Sequence, residues 1–324
     1  MRTRRTLASL VALGATAAML AACSSSSSDS STSSSAPATS AAASAAASAS
    51  AEPSAAASGA TAADAAAMLP QRYKDKGEID VASDIPYPPM ELLAADGTVS
   101  GVDYDLSQAL GEVLGVKVSF NKQAWDSIIP SLQSGKHDVI MSGMNDTLER
   151  EKVLDFVNYF DGGFALLVPK GNPEGITGLA DLCGKTVAEE TAVAQIDLIK
   201  AASANCPSGQ EITILQLPTD GDAQNAVRAG KASADLLDAA VAAYSAQTAG
   251  DGQYFEVVHD AANPQGISPV LTGIGVLKKD NDLALALQAA LQTLIDNGTY
   301  QQILDKYEVG AYAVPTAQLN GATS

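Results

Sequence analysis

Residues 78–91 read EIDVASDIPYPPME, and the order of strand and turn in this stretch decides the fold. Glu78–Ser83 is predicted as a β-strand. The prolines that follow it fix a rigid turn just outside the carboxyl end of that strand. In open α/β sheets, ligands bind at this end of the strands. The stretch therefore predicts an α/β fold with a binding site beside the first strand.

Strand and helix patterns alternate from about Leu69 to about Val314. The other predicted strands are Lys117–Phe120, Asp138–Ser142, Gly163–Val168, Lys185–Ala188, Ile212–Leu217, Ala234–Leu237, Phe255–Val258 and Gly273–Leu277. The predicted helices are Tyr104–Leu114, Ser127–Gln133, Ala223–Ala229, Ala239–Ala246 and Asp282–Asp296. This alternation is typical of parallel α/β architecture, and the number of short units indicates two lobes.

Residues 1–23 have the pattern of a secretion signal. Arg2, Arg4 and Arg5 are followed by an apolar run to Leu20 that is too short to span a bilayer comfortably. The run closes with Leu-Ala-Ala before Cys23, which resembles a bacterial lipobox, so we expect Cys23 to be lipidated through its sulfur. The alternative is an ordinary signal peptide that is cut nearby.

Residues 24–67 are almost entirely serine and alanine, with no aromatic or branched aliphatic side chain. Such a segment cannot bury enough apolar surface to fold. We therefore expect a disordered tether that holds a folded domain away from a membrane surface.

The charge of the chain excludes one class of partner. Lys and Arg total 19 against 37 Asp and Glu, which gives a net charge of −18. Such a surface repels phosphate backbones, so nucleic-acid binding is not expected.

Two cysteines, Cys183 and Cys206, follow the lipobox. In an exported chain an even pair usually forms a disulfide, and that is the prediction here. The alternatives are free thiols or a metal pair. A metal is disfavoured because His137 and His259 stand far away in sequence.

The sequence contains no Gly-x-Ser-x-Gly, no phosphate loop and no His-Glu-x-x-His. His137 follows Gly135 in a predicted helix-to-strand turn, where we expect a solvated surface residue. The sequence therefore predicts no enzyme, no cofactor and no metal.

Four segments are more typical of a solute-binding cleft: Asp84–Glu91, Gly101–Leu106, Trp125–Lys136 and Ser142–Arg150. In the last of them, Asp146 and Glu149 are predicted to cap a helix start whose free N–H groups would attract an anion.

Together these segments resemble the amino-acid-binding proteins of ABC importers, solute-binding protein family 3. The resemblance implies a two-lobed, periplasmic-binding-protein-like fold (type II), with two hinge crossovers and a ligand cleft between the lobes. The chain would cross near Asp161 and Leu271. Lobe one would contain residues 68–161 and 272–314, and lobe two residues 162–271, with a C-terminal tail at 315–324.

The resemblance also assigns the ends of the ligand. Arg150 would grip the α-carboxylate, since a guanidinium offers paired donors to it. Asn145 stands where the family has Ser or Thr beside that carboxylate, and Gly143 where the backbone touches the ligand. Asp238 matches the lobe-two carboxylate that receives the α-ammonium group.

Three further positions match the side-chain end of the pocket. Tyr87 and Trp125 would sandwich the ligand side chain, and Asp84 would lie at its far end. This combination suits a cationic side chain, through charge and cation–π attraction.

Each assignment has a structural alternative. Arg150 could be a surface arginine, and Asp238 could cap the helix Ala239–Ala246. Trp125, the only tryptophan, could be a core residue, and Asp84 could cap a turn.

The chain departs from the family pattern at two places. The family's Gly-Thr-Thr at a lobe-two helix start, which supplies donors to the carboxylate, is replaced by Ala192-Val193-Ala194. Ser233 stands where a structural Asp is common.

The implied function is capture of a small amino acid, polar or cationic, by lobe closure. The captured solute would be delivered to an ABC transporter permease. We expect a monomer that is lipid-anchored at the outer face of the cytoplasmic membrane. A cyclohexadienyl-type dehydratase or a ligand-sensing module on the same fold are the alternative functions.

Overall fold

The computed structural model describes residues 61–258 and 266–323. The predicted signal, the lipobox with Cys23, most of the tether, and His259 lie outside these residues. Within the described ranges, no helix is long and apolar enough to cross a membrane.

The described residues form helices and strands in alternation, as predicted. The strands are β1 (Glu78–Ser83), β2 (Leu92–Leu93), β3 (Val99–Ser100), β4 (Lys117–Lys122), β5 (Val139–Ile140), β6 (Leu154–Pro169), β7 (Thr186–Glu190), β8 (Thr213–Leu217), β9 (Ala234–Asp238), β10 (Phe255–Val258), β11 (Ile267–Leu277) and β12 (Gln318–Leu319). The helices are α1 (Ala62–Met68), α2 (Gln71–Lys76), α3 (Val102–Leu114), α4 (Ile128–Gln133), α5 (Gln195–Ser203), α6 (Asp220–Arg228), α7 (Ala239–Thr248), α8 (Asn281–Asp296) and α9 (Thr299–Lys306). Each predicted strand or helix overlaps one of these elements.

Two long antiparallel strands, β6 and β11, connect the two halves of the sheet. The strand order is β4-β1-β5-β11-β6-β9-β7-β8, with β10 and β12 also paired to β6. On one side β1 runs parallel to β4 and β5, and on the other β7 runs parallel to β8 and β9. The prediction of a two-lobed α/β fold is confirmed. The lobe boundaries stay predictions, and Leu271 pairs with Asp161 at the point where both crossovers were expected.

One apolar core extends from lobe one to residues of lobe two such as Leu237, and a second core lies within lobe two. In lobe one, α3 presents Leu106 and Leu110 to a core that also contains residues of α8. In lobe two, Leu166 of β6 and Val187 of β7 are fully buried beside Ile199 of α5. Because β11 pairs with β5 and β6, and β6 pairs with β9, the sheet is continuous from one lobe to the other.

Residues 62–67 correct the predicted extent of the tether, because they belong to α1. The Thr61 hydroxyl and the Asp64 carboxylate form a reciprocal capping box at the start of this helix. Ala65 is fully buried, and the helix packs against α3 and α8. Helices in such close contact need small side chains between them. The alanines that predicted disorder here allow this packing.

Residues 315–323 are not a free tail, which corrects the predicted end of the folded part. Gln318 and Leu319 form β12 and pair with Asn158 and Val157 of β6. The next residue, Asn320, accepts a hydrogen bond from the backbone N–H of Phe156 at 2.8 Å. The segment therefore extends the lobe-one sheet by one strand.

The predicted disulfide is present. Cys183 and Cys206 are bonded, with their Cα atoms 5.5 Å apart. The bridge joins the 3₁₀ turn Leu179–Leu182 to the end of α5 in lobe two.

Candidate functional site

A cavity of about 210 Å³ lies between the two lobes. Six of the predicted binding residues line it, namely Asp84, Tyr87, Trp125, Gly143, Asn145 and Asp238. Its volume is below the ~300–1,000 Å³ typical of drug-sized ligands, so the cavity suits a smaller solute. The binding roles of these residues stay predictions.

Asp238 lies at the junction of β9 and α7 and bonds to lobe one. Its Oδ2 accepts the Tyr87 hydroxyl at 2.6 Å, and its Oδ1 accepts the Asn145 side-chain amide at 2.9 Å. Although Asp238 occupies the N-cap position of α7, its side chain makes no capping hydrogen bond. Burial raises the pKa of Asp238, while the bonds from Tyr87 and Asn145 oppose this rise. The carboxylate is therefore directed into the cleft.

Arg150 lies in a 3₁₀ turn, Arg150–Lys152, and is not among the described residues that line the cavity. Its Nη1 donates to the Asn145 carbonyl at 2.8 Å and its Nη2 to the Ala192 carbonyl at 3.4 Å. The guanidinium carbon lies 5.2 Å from the centroid of the Trp125 ring. Burial lowers the pKa of Arg150 to about 10, so the group is charged at neutral pH.

In the described part of the chain, Arg150 makes no ion pair. Its two acceptors are neutral carbonyl groups. The charge of the guanidinium is therefore available to an anionic group of a ligand.

Gly143 adopts a left-handed conformation, with φ of 55°, beside the ring of Tyr87. A Cβ atom at this position would lie 3.0 Å from the Tyr87 Cε1 atom, so a side chain would displace the ring. The Gly143 N–H donates to Asp103 at 2.8 Å, and Asp103 also accepts the Tyr159 hydroxyl at 2.6 Å. Because that N–H is already bonded, only the carbonyl of Gly143 remains for a ligand.

The predicted helix start at Asp146 and Glu149 is wrong. Asp146 is buried, and its carboxylate accepts bonds from the Asn158 amide and from the Gly321 N–H, both at 2.9 Å. The turn that follows has three residues, and Glu149 makes no capping hydrogen bond. The Asp146 carboxylate is bonded to Asn158 of β6 and to Gly321 of the C-terminal segment, so it does not cap a helix start. The anion site expected there does not form.

The prediction of a solvated His137 is also wrong, since the residue is buried, with 7% of its surface exposed. Its turn leads directly into β5, an interior strand of the sheet. Among the described residues, neither ring nitrogen has a hydrogen-bond partner. Burial lowers the pKa of His137, so the neutral form is favoured.

Sequence reasoning missed four acidic residues on the lobe-two wall of the cavity: Glu189, Glu190, Asp220 and Asp235. Burial and the nearby Asp84 raise the pKa of Glu190 to about 9, and burial raises that of Asp220 to about 7. Glu190 and Asp84 interact across the cleft, and the repulsion between their charges is one cause of the raised pKa of Glu190. A signal was available, because both glutamates directly follow the predicted strand Lys185–Ala188 and stand beside the Ala192-Val193-Ala194 departure.

Ala192 itself adopts φ of 66°, a conformation that favours glycine. For an L-residue this conformation costs roughly 1–2 kcal/mol. The substitution therefore keeps the backbone shape that a glycine would give, and the Ala192 carbonyl accepts the bond from Arg150.

Two lobes joined by two long strands, with charged groups from both lobes around an enclosed cavity, define a protein that closes around a small solute. The chain belongs to the bacterial extracellular solute-binding proteins, family 3, whose model matches residues 79–310. It is 33% identical to the arginine-binding protein ArgT of Corynebacterium glutamicum over 261 residues, which is 78% of this chain and 82% of that protein.

Two solved structures are similar over most of the folded part. An ancestral arginine-binding protein bound to arginine is 32% identical, with a TM-score of 0.64 over 72% of this chain and 98% of that one. An ancestral amino-acid-binding protein, described as a precursor of cyclohexadienyl dehydratase, is 31% identical, with a TM-score of 0.65 over 73% of this chain and 98% of that one.

Proposed function

We propose that this protein binds an L-α-amino acid with a cationic side chain and delivers it to an ABC transporter permease. The observation that carries the proposal is the charge arrangement in the cleft. Arg150, without an ion pair among the described residues, contacts Trp125 and Asn145, which both line the cavity. Asp238 and further carboxyl groups line the lobe-two wall.

The two ends of an amino-acid backbone match these two groups. A zwitterion is costly to remove from water, so a site must replace its hydration with fixed partners. Arg150 would receive the α-carboxylate with paired donors. Asp238 would receive the α-ammonium group in place of the bond that it now accepts from Tyr87.

The wall of the cavity favours a positive side chain over a neutral one. Trp125 and Tyr87 offer aromatic faces, and Asp84 and Glu190 lie where the side chain would extend. Lys122 is the basic residue among the described residues that line the cavity. The names of several relatives, including the arginine-binding protein of C. glutamicum, agree with a cationic ligand.

Closure would couple binding to transport. Arg150 would contact a ligand from lobe one and Asp238 from lobe two, so a ligand would be fully bonded only when the lobes are together. Binding then shifts the population toward the closed form, which a permease would recognise.

We also propose that the chain is exported, anchored through lipid on Cys23, and active as a monomeric binding protein without catalysis. The support is the sequence pattern of residues 1–23 and the family of extracellular solute-binding proteins. The reported relatives bear the names of binding proteins.

The test is a fluorescence titration with the common L-amino acids, because Trp125 is the only tryptophan and lines the cavity. We expect a saturable change with L-arginine or L-lysine and none with acidic amino acids. Absence of any change across the panel, together with absence of thermal stabilisation, would overturn the proposed function.

A further inference from the structure

The lobe-two wall carries more acidic groups than recognition of an amino-acid backbone needs. Asp238 alone accounts for the ammonium group. Glu189 and Glu190 at the end of β7, Asp220 at the start of α6 and Asp235 on β9 line the same cavity in addition. Strands β7 and β9 are neighbours in the sheet, which brings these side chains into one wall.

A purely structural role would leave every side-chain oxygen in this wall with an internal partner, but several of the oxygen atoms have none. Asp235 is 1% exposed and Gln195 is 4% exposed. Among the described residues, Asp235 Oδ2, Glu190 Oε1 and Gln195 Oε1 accept no hydrogen bond, although all three residues line the cavity. A buried acceptor without a hydrogen bond costs about 1–3 kcal/mol. Three such oxygen atoms in one wall indicate that the cavity binds a ligand with several hydrogen-bond donors.

The missing partner has the chemistry of an organic cation. Within the described ranges, no group of three or more His, Cys, Asp or Glu side chains is arranged to hold a metal ion. The acceptors are instead spread along the wall. A guanidinium group presents five N–H donors in a fixed plane and can bond to several separated oxygens at once.

We propose that Glu189, Glu190, Asp220 and Asp235, with Gln195, form a second cation subsite that takes the guanidinium of the ligand side chain in exchange for protons. This inference rests on the proposed function and narrows it from cationic amino acids to those with a guanidinium group.

The exchange follows from the charges around the subsite. In the ligand-free cleft, burial and mutual repulsion keep the pKa values of Glu190 and Asp220 at about 9 and about 7, so both carry protons for much of the time at neutral pH. Asp84 and Asp126 add to the negative potential from lobe one, and Lys122 opposes it. Asp238 faces Asp220 from the same lobe.

An entering cation lowers these pKa values, because it favours the charged carboxylates. Protons are then released on binding, so affinity rises with pH below the ligand-free pKa values. For each proton released, affinity changes about tenfold per pH unit. A neutral ligand of the same shape gains nothing from this exchange.

The experiment is isothermal titration calorimetry of the full chain with L-arginine and with L-citrulline, which has the same length and an uncharged end. Measurements at pH 6, 7 and 8 in two buffers of different ionisation enthalpy count the protons released. We expect arginine to bind roughly 100-fold more tightly than citrulline at pH 8, with proton release for arginine alone.

Two variants test the residues themselves. Glu190→Gln and Asp235→Asn imitate the protonated carboxyl groups, so the ligand-free fold is kept, but neither can release a proton. Each is expected to reduce arginine affinity by at least about tenfold and to leave citrulline affinity within about threefold. Asp197→Asn, at an exposed position on α5, is the matched control and should behave as wild type.

The subsite is overturned if arginine binds without proton release, or if the variants weaken arginine and citrulline equally. Tight arginine binding in that case leaves the proposed function standing. If no amino acid binds at any pH, the proposed function and the subsite fall together.

Discussion

The carboxylate of Asp238 accepts a 2.6 Å hydrogen bond from the hydroxyl of Tyr87, although the two residues belong to opposite walls of the cleft. This bond holds the lobes together without a ligand. It also occupies the acceptor that an α-ammonium group would use. A ligand must therefore displace the Tyr87 hydroxyl or share the carboxylate with it.

Asp238→Asn should remove most of the affinity for a zwitterionic ligand. An amide keeps the shape of the side chain and its acceptor for Tyr87 but provides no charge for the ammonium group. Loss of one partner of a buried charged pair costs about 2–5 kcal/mol, which is roughly a 30- to 5,000-fold loss of affinity. Calorimetric titration measures it, and an unchanged affinity would contradict the assignment of Asp238.

Arg150→Ala and Arg150→Lys should show how much of the ligand affinity depends on the positive charge of Arg150 and how much on its paired donors. Both remove the paired donors, but lysine keeps a positive charge. We expect alanine to lower affinity by at least about 100-fold and lysine to recover only a small part of that loss. Arg228→Ala, in which the lost guanidinium lies 5.1 Å from the Tyr254 ring centroid and outside the cavity, is the control for loss of a positive charge.

The disulfide should stabilise lobe two without contributing to recognition. Cys183 and Cys206 are separated by 23 residues and do not line the cavity. Removing both with Cys183→Ser and Cys206→Ser should lower the free energy of unfolding by about 3 kcal/mol. Thermal unfolding should show the loss, while ligand affinity of the folded protein should change by less than about threefold. A larger loss of affinity would mean that the bridge shapes the cleft.

Much of the fold was predictable because local patterns and tertiary packing agree. Glu78–Ser83 and Phe255–Val258 were placed with the bounds that the structure has. The first half of β6 was missed, since Asp155 and Asn158 interrupt its apolar pattern. Both side chains are buried and form hydrogen bonds with residues that are distant in sequence, including Lys278 and Asp146. The local sequence does not indicate these partners.

The site was predictable only where a resemblance marked it. Arg150 and Asp238 were assigned from motif order, and their binding roles stay predictions. Asp220 and Asp235 belong to no motif, and their local sequence is typical of a helix start and of a strand. What makes them site residues is the cavity that forms when β7 and β9 lie side by side. Asp146 shows the converse, since a good local capping pattern is overridden by Asn158 and Gly321.

Asp155 should make the protein more sensitive to acid than its surface charges suggest. Its buried carboxylate accepts bonds from Lys278, Asn281 and Asn320 at 2.9–3.1 Å and so joins β6 to the C-terminal segment. Burial alone would raise the pKa of Asp155, but these bonds outweigh it and lower the pKa below its ordinary value.

Because the folded-state pKa is lowered, the stability that Asp155 contributes is present above its unfolded value of about 3.9 and is lost as pH falls below it. Asp155→Asn should therefore lower the free energy of unfolding at pH 7 by about 1–3 kcal/mol. The difference from wild type should shrink in urea titrations taken toward pH 3. Asp197→Asn, which breaks only an exposed pair with Lys200, should change stability by less than about 1 kcal/mol at either pH. A constant difference between Asp155→Asn and wild type from pH 7 to pH 3 would show that the charge of Asp155 contributes nothing.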